Sequence, residues 1–474
     1  MKNHLNFTLL YYFLPLLYFL NFNFVYCQKE KENPPNFVII FADDLGYGDL
    51  GVFGNPSIKT PHLDKMAFEG QKWTNFYAAA SVCTPSRAGL LTGRLPVRSG
   101  MASSNTRVLF PNSKNGLPAS EITLAEQLKK AGYTTAAIGK WHLGHKEEFL
   151  PTNNGFDTYF GIPYSNDMDM VSGSIPYHDY WQQPNSSIKT EHFNVPLLRG
   201  TEIVERPANQ NNITKRYSDE AVTFIREQDE TPFFLYVAHN LPHIPLFASE
   251  DFYGKSKRGL YGDVVEEIDN GVGKIIMALK EKGLANKTIV VFTSDNGPWL
   301  PFKNNGGSAG LLHAGKGTTW EGGMREPTIF WGPGHIKSGV VSDLGSTMDL
   351  FTTFSTMANT KIPEDRIIDG VDLSGVLMQG KPSPRKSVLY YRGTELFAAR
   401  LGDFKAHFIT QGAYGEFGER QELNTPLLYN VAFDAGEHFN ITEKHPEVLE
   451  DIRKLVSEHK SKLVKGKDQL VDRE

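Results

Sequence analysis

The stretch Phe37-Val38-Ile39-Ile40-Phe41-Ala42-Asp43-Asp44 joins a short apolar run to two adjacent carboxylates. An uninterrupted apolar run of this length predicts a strand buried on both faces. Comparable runs at residues 135–138, 233–237 and 289–292 alternate with predicted helices at residues 123–131, 218–227 and 264–282. This alternation predicts an α/β sandwich with a mostly parallel central sheet and helices on both faces.

Each predicted strand leads directly into a polar cluster. Asp43 and Asp44 follow the first strand, Lys140 and His142 the second, His239 and His243 the third, and Asp295 and Asn296 the fourth. Ligands of open α/β sheets bind beyond the carboxyl ends of the strands. We therefore expect these side chains to converge on one site.

The segment Cys83-Thr84-Pro85-Ser86-Arg87, which runs on to Thr92-Gly93-Arg94, predicts the start of a helix. Thr84 is the expected N-cap and Pro85 the expected first helical residue. Because helix N-termini attract anions, residue 83 would face an oxyanion, and Arg87 would add a charge-assisted contact. A buried structural cysteine is the alternative for an isolated cysteine, but the full string is too specific for it.

The length of the chain and a change in sequence pattern near Pro382 predict two domains. The chain has 474 residues, 40% of them hydrophobic, which exceeds what one compact core usually holds. We expect a catalytic domain at residues 34–380, a linker, and a small domain at residues 385–474. The small domain is predicted to be an antiparallel sheet with a terminal helix at residues 446–463, followed from Lys465 by a frayed, solvated tail.

The charge balance argues against nucleic acid as a partner. Lys and Arg total 49 against 54 Asp and Glu, which gives a net charge of -5, and no long basic run occurs. Phosphate neutralisation needs a concentrated cationic surface, which this composition does not provide.

The N-terminus predicts export. Residues 1–27 have the apolar character of a signal peptide and precede a charged stretch; an uncleaved membrane anchor and a lipidated Cys27 are the alternatives. Beyond them the chain has one cysteine, Cys83, and therefore no internal disulfide. This favours a bacterial periplasmic or secreted protein over a lysosomal or extracellular eukaryotic one.

The motifs resemble those of the type I, formylglycine-dependent sulfatase family, in the branch typified by arylsulfatase A and N-acetylgalactosamine-6-sulfatase. Cys-x-Pro-Ser-Arg followed by Thr-Gly-Arg is the family signature. Further matching segments are residues 41–49, 139–144, 155–165, 293–297, 315–323 and 405–408. The resemblance covers essentially the whole mature chain. It implies an alkaline-phosphatase-like fold and a sulfuric ester hydrolase that acts on a sulfated carbohydrate or an aryl sulfate.

The resemblance also implies the nucleophile and the metal. A separate formylglycine-generating enzyme would oxidise Cys83, and one hydroxyl of the hydrated aldehyde would attack sulfur. The second hydroxyl then expels sulfate, an exit that an ordinary serine would lack. Asp43, Asp44, Asp295 and Asn296, together with residue 83, match the family's calcium site, and their oxygen ligands suit calcium or magnesium better than zinc.

The remaining matched positions imply contacts with the substrate. Lys140 and Lys316 would neutralise the sulfate oxygens, and Ser165 would contact the substrate. His243 would give a proton to the leaving alcohol. His142 would bind the diol and assist proton removal when sulfate leaves.

Other segments have less specific expectations. Loops at residues 167–194 and 414–423 are expected to form the pocket rim and set the leaving-group preference. Lys405 and His407 are expected to hold the two domains together rather than line the rim, and His239 is expected to be structural.

Two other functions stay open. One is a phosphate or phosphonate monoester hydrolase of the same superfamily; the absence of a His-rich second metal set favours sulfate over it. The other is an inactive carbohydrate-binding homologue, which is disfavoured because no expected motif residue is missing. The expected substrate class is a sulfated glycan or polysaccharide.

Overall fold

A large, mostly parallel sheet lies at the centre of the residues that the computed structural model describes, 34–174 and 188–474. Its strands are β1 (Asn36–Ala42), β2 (Gln71–Tyr77), β3 (Thr134–Gly139), β4 (Thr158–Gly161), β5 (Leu197–Arg199), β6 (Glu202–Glu205), β7 (Phe233–Ala238), β8 (Thr288–Ser294), β9 (Arg325–Trp331), β10 (Gly339–Val341) and β11 (Gly345–Ser346). They are ordered β10-β2-β9-β8-β1-β7-β3-β4-β5-β6, with β11 beside β2. Strands β8, β1, β7, β3 and β4 are parallel, whereas β9 is antiparallel to both neighbours. The four strands predicted from apolar runs all belong to this parallel block, as expected.

Helices cover both faces of the sheet. They are α1 (Pro61–Glu69), α2 (Cys83–Thr92), α3 (Pro96–Ser99), α4 (Leu124–Lys130), α5 (Ile213–Glu227), α6 (Leu260–Glu281), α7 (Glu321–Met324), α8 (Asp349–Met357), α9 (Ser374–Gln379) and α10 (Pro446–Ser461). Successive side chains of a strand point to opposite faces. Accordingly, Val38 and Ile40 belong to a core with residues of α1, α5 and α6, whereas Phe37 and Ile39 belong to a core with residues of α2, α4 and α8. The predicted α/β sandwich is confirmed.

The start of helix α2 differs from the prediction. The helix begins at Cys83, Val82 is its N-cap, and Pro85 is therefore not the first helical residue. Proline is tolerated there because N–H groups of the first turn have no partner within the helix. The predicted cap, Thr84, instead donates its hydroxyl to the carbonyl of His142 at 3.0 Å. The side chain thus ties the helix to the loop after β3.

A small antiparallel sheet follows the linker. Its strands are β12 (Ser387–Arg392), β13 (Glu395–Leu401), β14 (Phe404–Thr410) and β15 (Gln421–Asn430), each paired with the next along the chain. Helix α10 packs Leu449 and Ile452 against Ala399 and Ala406 of this sheet. The predicted sheet and terminal helix are confirmed. Residues 34–474 nevertheless form one compact unit.

The tail after Lys465 is packed, and the prediction of a frayed end is wrong. Leu470 is fully buried in the core that α2 and α4 share. The N–H groups of Gly466 and Gln469 donate to the carbonyls of Val97 and Gly100 at 2.9 and 3.0 Å. One apolar side chain and the backbone therefore anchor a segment whose composition is otherwise polar.

Parts of the sequence predictions lie outside the described residues. These parts are the signal peptide at residues 1–27, with Cys27, and residues 175–187 of the first rim loop. Across the two described ranges, every helix is too short or too polar to cross a membrane.

Candidate active site

The carboxyl ends of the central strands and the start of α2 meet in one buried cluster. Asp43 and Asp44 follow β1, Cys83 begins α2, and His243 lies in the loop after β7. One potential ligand atom from each of these residues lies within 4.8 Å of the others. Strand ends and a helix N-terminus thus bring together residues that are far apart in the sequence.

Cys83 is the centre of this cluster. Its Sγ donates to Asp43 Oδ1 at 3.4 Å, and the side chain is almost fully buried. Burial and the charge of Asp43 raise the pKa of the Cys83 thiol well above its ordinary value. Because the thiolate is the reactive form of cysteine, an unmodified thiol here is a weak nucleophile at neutral pH.

Arg87 lies one turn after Cys83 and organises the carboxylates. Its Nε and Nη2 donate to Asp295 Oδ2 at 3.1 and 2.9 Å, and its Nη1 donates to the carbonyl of Lys140 at 2.8 Å. Nη2 also lies 3.4 Å from Asp43 Oδ2. These protein groups hold the guanidinium in place beside Cys83, and the expected contact of Arg87 with a substrate oxyanion stays a prediction.

Two buried lysines flank the cluster. Lys140 Nζ lies 2.5 Å from Asp43 Oδ2 and 3.1 Å from Ser165 Oγ. Lys316 Nζ lies 2.7 Å from Asp44 Oδ2 and 4.1 Å from the centre of the Trp299 ring, in a cation–π contact. Together they provide two cations where an anionic ester would meet Cys83.

The acidic side chains fit a hard divalent cation. Asn296 donates its amide to Asp44 Oδ1 at 2.7 Å, while its Oδ1 is buried without a hydrogen-bond partner in the described residues. Asp295 Oδ1 accepts the N–H of Asp44 at 3.1 Å. Burial and the charge of Asp43 raise the pKa of Asp295 to about 7, although Arg87 opposes the shift. A buried carboxylate set with an unpaired amide oxygen matches the ligands that calcium prefers.

His142 and His243, the two histidines that match family motifs, each donate one ring N–H to a backbone carbonyl. His142 Nε2 donates to Leu109 O at 2.9 Å, and its Nδ1 is buried without a partner in the described ranges. His243 Nδ1 donates to Ile244 O at 2.5 Å, which directs Nε2 toward Asp44 Oδ2 at 3.7 Å. Burial and neighbouring lysines lower the pKa of both rings well below the ordinary value. Both rings are therefore neutral at neutral pH in this arrangement.

Two residues of the cluster have left-handed backbone conformations. The φ angle is 63° at Asp44 and 59° at His142. The backbone N–H of Asp44 is held by Asp295, and that of His142 by the carbonyl of Pro163 at 3.1 Å. Non-glycine residues with such φ values are uncommon and concentrate at functional sites.

Other predicted residues lie outside the cluster. Lys405 Nζ lies 3.0 Å from Glu321 Oε1, and His407 Nε2 lies 2.7 Å from Glu437 Oε1, all of them buried. The Lys405 contact joins the small sheet to α7, in line with the expectation, whereas His407 and Glu437 both belong to residues 385–474. His239 is buried but absent from the group of potential metal ligands, and burial lowers its pKa to about 4.

The sequence predictions missed an aromatic side of the site. The ring centroid of Trp299 lies 5.1 Å from that of His243 and 5.0 Å from that of Tyr414. The guanidinium of Arg107 lies 4.5 Å from the centre of the Tyr414 ring. Trp299 comes just after the Asp295-Asn296 pair, and this position was the available sequence signal. Tyr414 begins the second predicted rim loop.

The chain is similar to known sulfatases over most of its length. Two family models match it: Sulfatase over residues 35–360, and C-terminal region of aryl-sulfatase over residues 383–474. N-acetylgalactosamine-6-sulfatase of Rattus norvegicus is 42% identical over 473 residues, which cover 92% of this chain and 87% of that protein. Arylsulfatase A of Homo sapiens is 41% identical over 447 residues, which cover 89% and 87%.

A solved structure has the same architecture. Ps i-CgsB in complex with k-i-k-neocarrahexaose matches with a TM-score of 0.76 and 30% identity, covering 92% of this chain and 94% of that chain. The predicted alkaline-phosphatase-like fold is thereby confirmed. The chain belongs to the sulfatase family and is a sulfuric ester hydrolase.

Proposed function

We propose that this chain hydrolyses sulfate esters of sulfated glycans, using a formylglycine made from Cys83 and one bound calcium ion. The observation that carries the proposal is the position of Cys83. Its side chain lies at the first residue of α2, in contact with Asp43, and Lys140 binds the same carboxylate. A nucleophile at this point has a helix N-terminus and buried cations around it.

Formylglycine would supply a hydrated aldehyde. One hydroxyl would attack sulfur as the S–O bond to the alcohol breaks, and loss of the proton from the other hydroxyl would then release sulfate and restore the aldehyde. Asp43, Asp44, Asp295 and Asn296 would hold calcium, which would withdraw charge from the sulfate oxygens. Arg87 keeps two of these carboxylates in position through its bonds to Asp295 and its contact with Asp43.

The other residues bind sulfate and move protons. Lys140 and Lys316 would neutralise the sulfate oxygens, and Ser165 would hold Lys140 and contact the substrate. His142 has an unprotonated Nδ1, which is ready to accept a proton from the diol. His243 would protonate the leaving alcohol. The charge of Lys316 contributes to the low pKa of this histidine, and a bound sulfate would offset that charge and so raise the pKa of His243.

The relatives support a sulfated glycan as the substrate class. One is named for a sulfated N-acetylgalactosamine, and one neighbour was solved with a neocarrahexaose. The proposal also requires a formylglycine-generating enzyme as a partner. We further propose a catalytic domain at residues 34–380, a small domain at residues 385–474, and export directed by a signal peptide at residues 1–27.

Two forms of the same sequence test the proposal. The chain is produced with and without a formylglycine-generating enzyme, and mass spectrometry of the peptide that contains Cys83 reports thiol or aldehyde. Release of nitrophenol from 4-nitrophenyl sulfate and from 4-nitrophenyl phosphate is then measured, with Cys83→Ala as the inactive control. We expect only the aldehyde form to act, and to prefer the sulfate. Equal activity of the thiol form, or a preference for phosphate, would overturn the proposal.

A further inference from the structure

A pocket lies directly beside the candidate active site. It has a volume of about 300 Å³, and its lining includes Ser81 and Val82, which precede Cys83, and Gly317, which follows Lys316. Consecutive Cα atoms are about 3.8 Å apart, so the pocket shares a wall with the nucleophile and with a sulfate-binding lysine. The pocket is therefore within reach of a group attached to the same substrate.

The lining of this pocket is rich in arginine. Among the described residues it contains Arg107, Arg392 and Arg420, and Glu395 as its one carboxylate. Arg420 is neutralised by bonds to Glu395 at 2.9 and 3.1 Å and to Glu422 at 2.7 Å. The other two guanidinium groups give the pocket its excess positive charge. We call Arg107, Arg392 and the cavity between them the arginine pocket.

Neither Arg107 nor Arg392 forms an ion pair in the described part of the chain. Arg107 lies over the Tyr414 ring, and its Nη1 is buried without a hydrogen-bond partner among the described residues. Arg392 Nη1 donates only to the carbonyls of Gln411 and Gly412, at 3.2 and 2.6 Å. Burial and the charge of Arg107 lower the pKa of Arg392 to about 10. The guanidinium of Arg107 is thus close enough to disfavour the charge of Arg392.

Two partly buried, uncompensated cations that line a cavity are unfavourable until an anion neutralises them. Guanidinium groups match the paired oxygens of sulfate and carboxylate, because their N–H donors lie in one plane. We propose that the arginine pocket binds an anionic substituent, a sulfate or a carboxylate, on the sugar next to the one that is desulfated. This inference rests on the proposed function and narrows its substrate to polyanionic glycans.

The test compares matched substrates on the matured full-length enzyme. The substrates are 4-nitrophenyl sulfate, a monosulfated disaccharide, the same disaccharide with a second sulfate on the neighbouring sugar, and its analogue with a uronic acid there. The readout is the ratio of kcat/KM for each doubly anionic disaccharide to that for the monosulfated one. We expect a ratio of roughly ten or more for at least one, since a hydrogen bond to a charged group is worth at least that factor. The larger ratio identifies the anion.

Variants locate the origin of this preference. Arg107→Gln combined with Arg392→Gln should bring the ratio close to one, and Glu395→Gln should raise it, because it removes the competing carboxylate. Arg199→Gln combined with Arg226→Gln is the matched control: these exposed arginines pair with Glu220 at 2.6 Å and Glu281 at 3.1 Å, and their loss changes net charge by the same two units. The control should leave the ratio unchanged.

The outcomes separate this inference from the proposed function. An enzyme that hydrolyses 4-nitrophenyl sulfate but shows no preference for either doubly anionic disaccharide refutes the arginine pocket alone. A preference that survives in the double variant refutes it as well. An enzyme that does not hydrolyse any sulfate ester refutes the proposed function itself.

Discussion

Replacing Lys405 by methionine tests whether this residue holds the two sheets together. Lys405 Nζ accounts for three buried contacts: the carbonyl of Thr319 at 2.9 Å, Glu321 Oε1 at 3.0 Å and Glu437 Oε1 at 3.0 Å. Thr319 and Glu321 belong to the segment around α7, whereas Lys405 lies on β14. Methionine keeps most of the volume and removes the charge.

The expected loss in the free energy of unfolding depends on which ion-pair partners Glu321 and Glu437 keep without Lys405. Removing one partner of a buried ion pair costs about 3–5 kcal/mol. Glu321 retains Arg325 at 3.5 Å and Arg400 at 3.9 Å, whereas Glu437 retains His407 at 2.7 Å. Because both carboxylates keep a partner, we expect a loss near the lower bound, about 3 kcal/mol in the free energy of unfolding.

Urea unfolding followed by tryptophan fluorescence at pH 7 measures this loss, and hydrolysis of 4-nitrophenyl sulfate reports the site. We expect lower stability with kcat/KM within about twofold of wild type, because Lys405 contacts no residue of the catalytic cluster. Lys65→Met is the control: its exposed bridge to Glu69, at 3.7 Å, contributes less than about 1 kcal/mol. Unchanged stability with lost activity would refute the reasoning and assign Lys405 to the pocket rim.

Three further changes have defined outcomes. Thr84→Val should lower the free energy of unfolding by about 1–3 kcal/mol, because it leaves the buried carbonyl of His142 unpaired; Thr84→Ser should restore it in the same urea titration. Trp299→Leu should lower kcat/KM roughly threefold to thirtyfold by removing the ring under Lys316, and Trp299→Phe should recover part of it. Burial raises the pKa of Asp269 to about 7, so its contribution to stability is present at low pH and falls as pH rises through 7. Asp269→Asn should therefore gain about 3 kcal/mol relative to wild type between pH 5 and pH 8 in urea unfolding, and a constant difference would contradict this.

The parallel strands were predictable because burial on both faces leaves a continuous apolar run. Phe37 and Val38 pack into opposite cores, so a polar side chain at either position would be buried away from water. The polar residues just after the strands were expected to converge, and Asp43, Asp44 and His243 do so in the buried cluster, since the topology of such sheets brings strand ends together.

The missed features depend on contacts between distant segments. Thr84 looked like a cap because its local sequence permits one, but its hydroxyl instead accepts the N–H of Leu109 at 3.1 Å and donates to the carbonyl of His142. Leu470 is one apolar residue in a polar tail, so periodicity carried no signal of its burial. The arginine pocket combines Arg107 with Arg392 of β12, and no local pattern links two such positions.

The left-handed backbone at Asp44 and His142 decides how these residues are best deleted. Alanine carries a Cβ that disfavours this conformation, so an alanine variant would disturb the loop as well as remove the functional group. Glycine adopts it without steric cost. For these two positions the glycine variants isolate the role of the carboxylate and the imidazole, and a comparison of each glycine variant with its alanine counterpart measures how firmly the fold holds the loop.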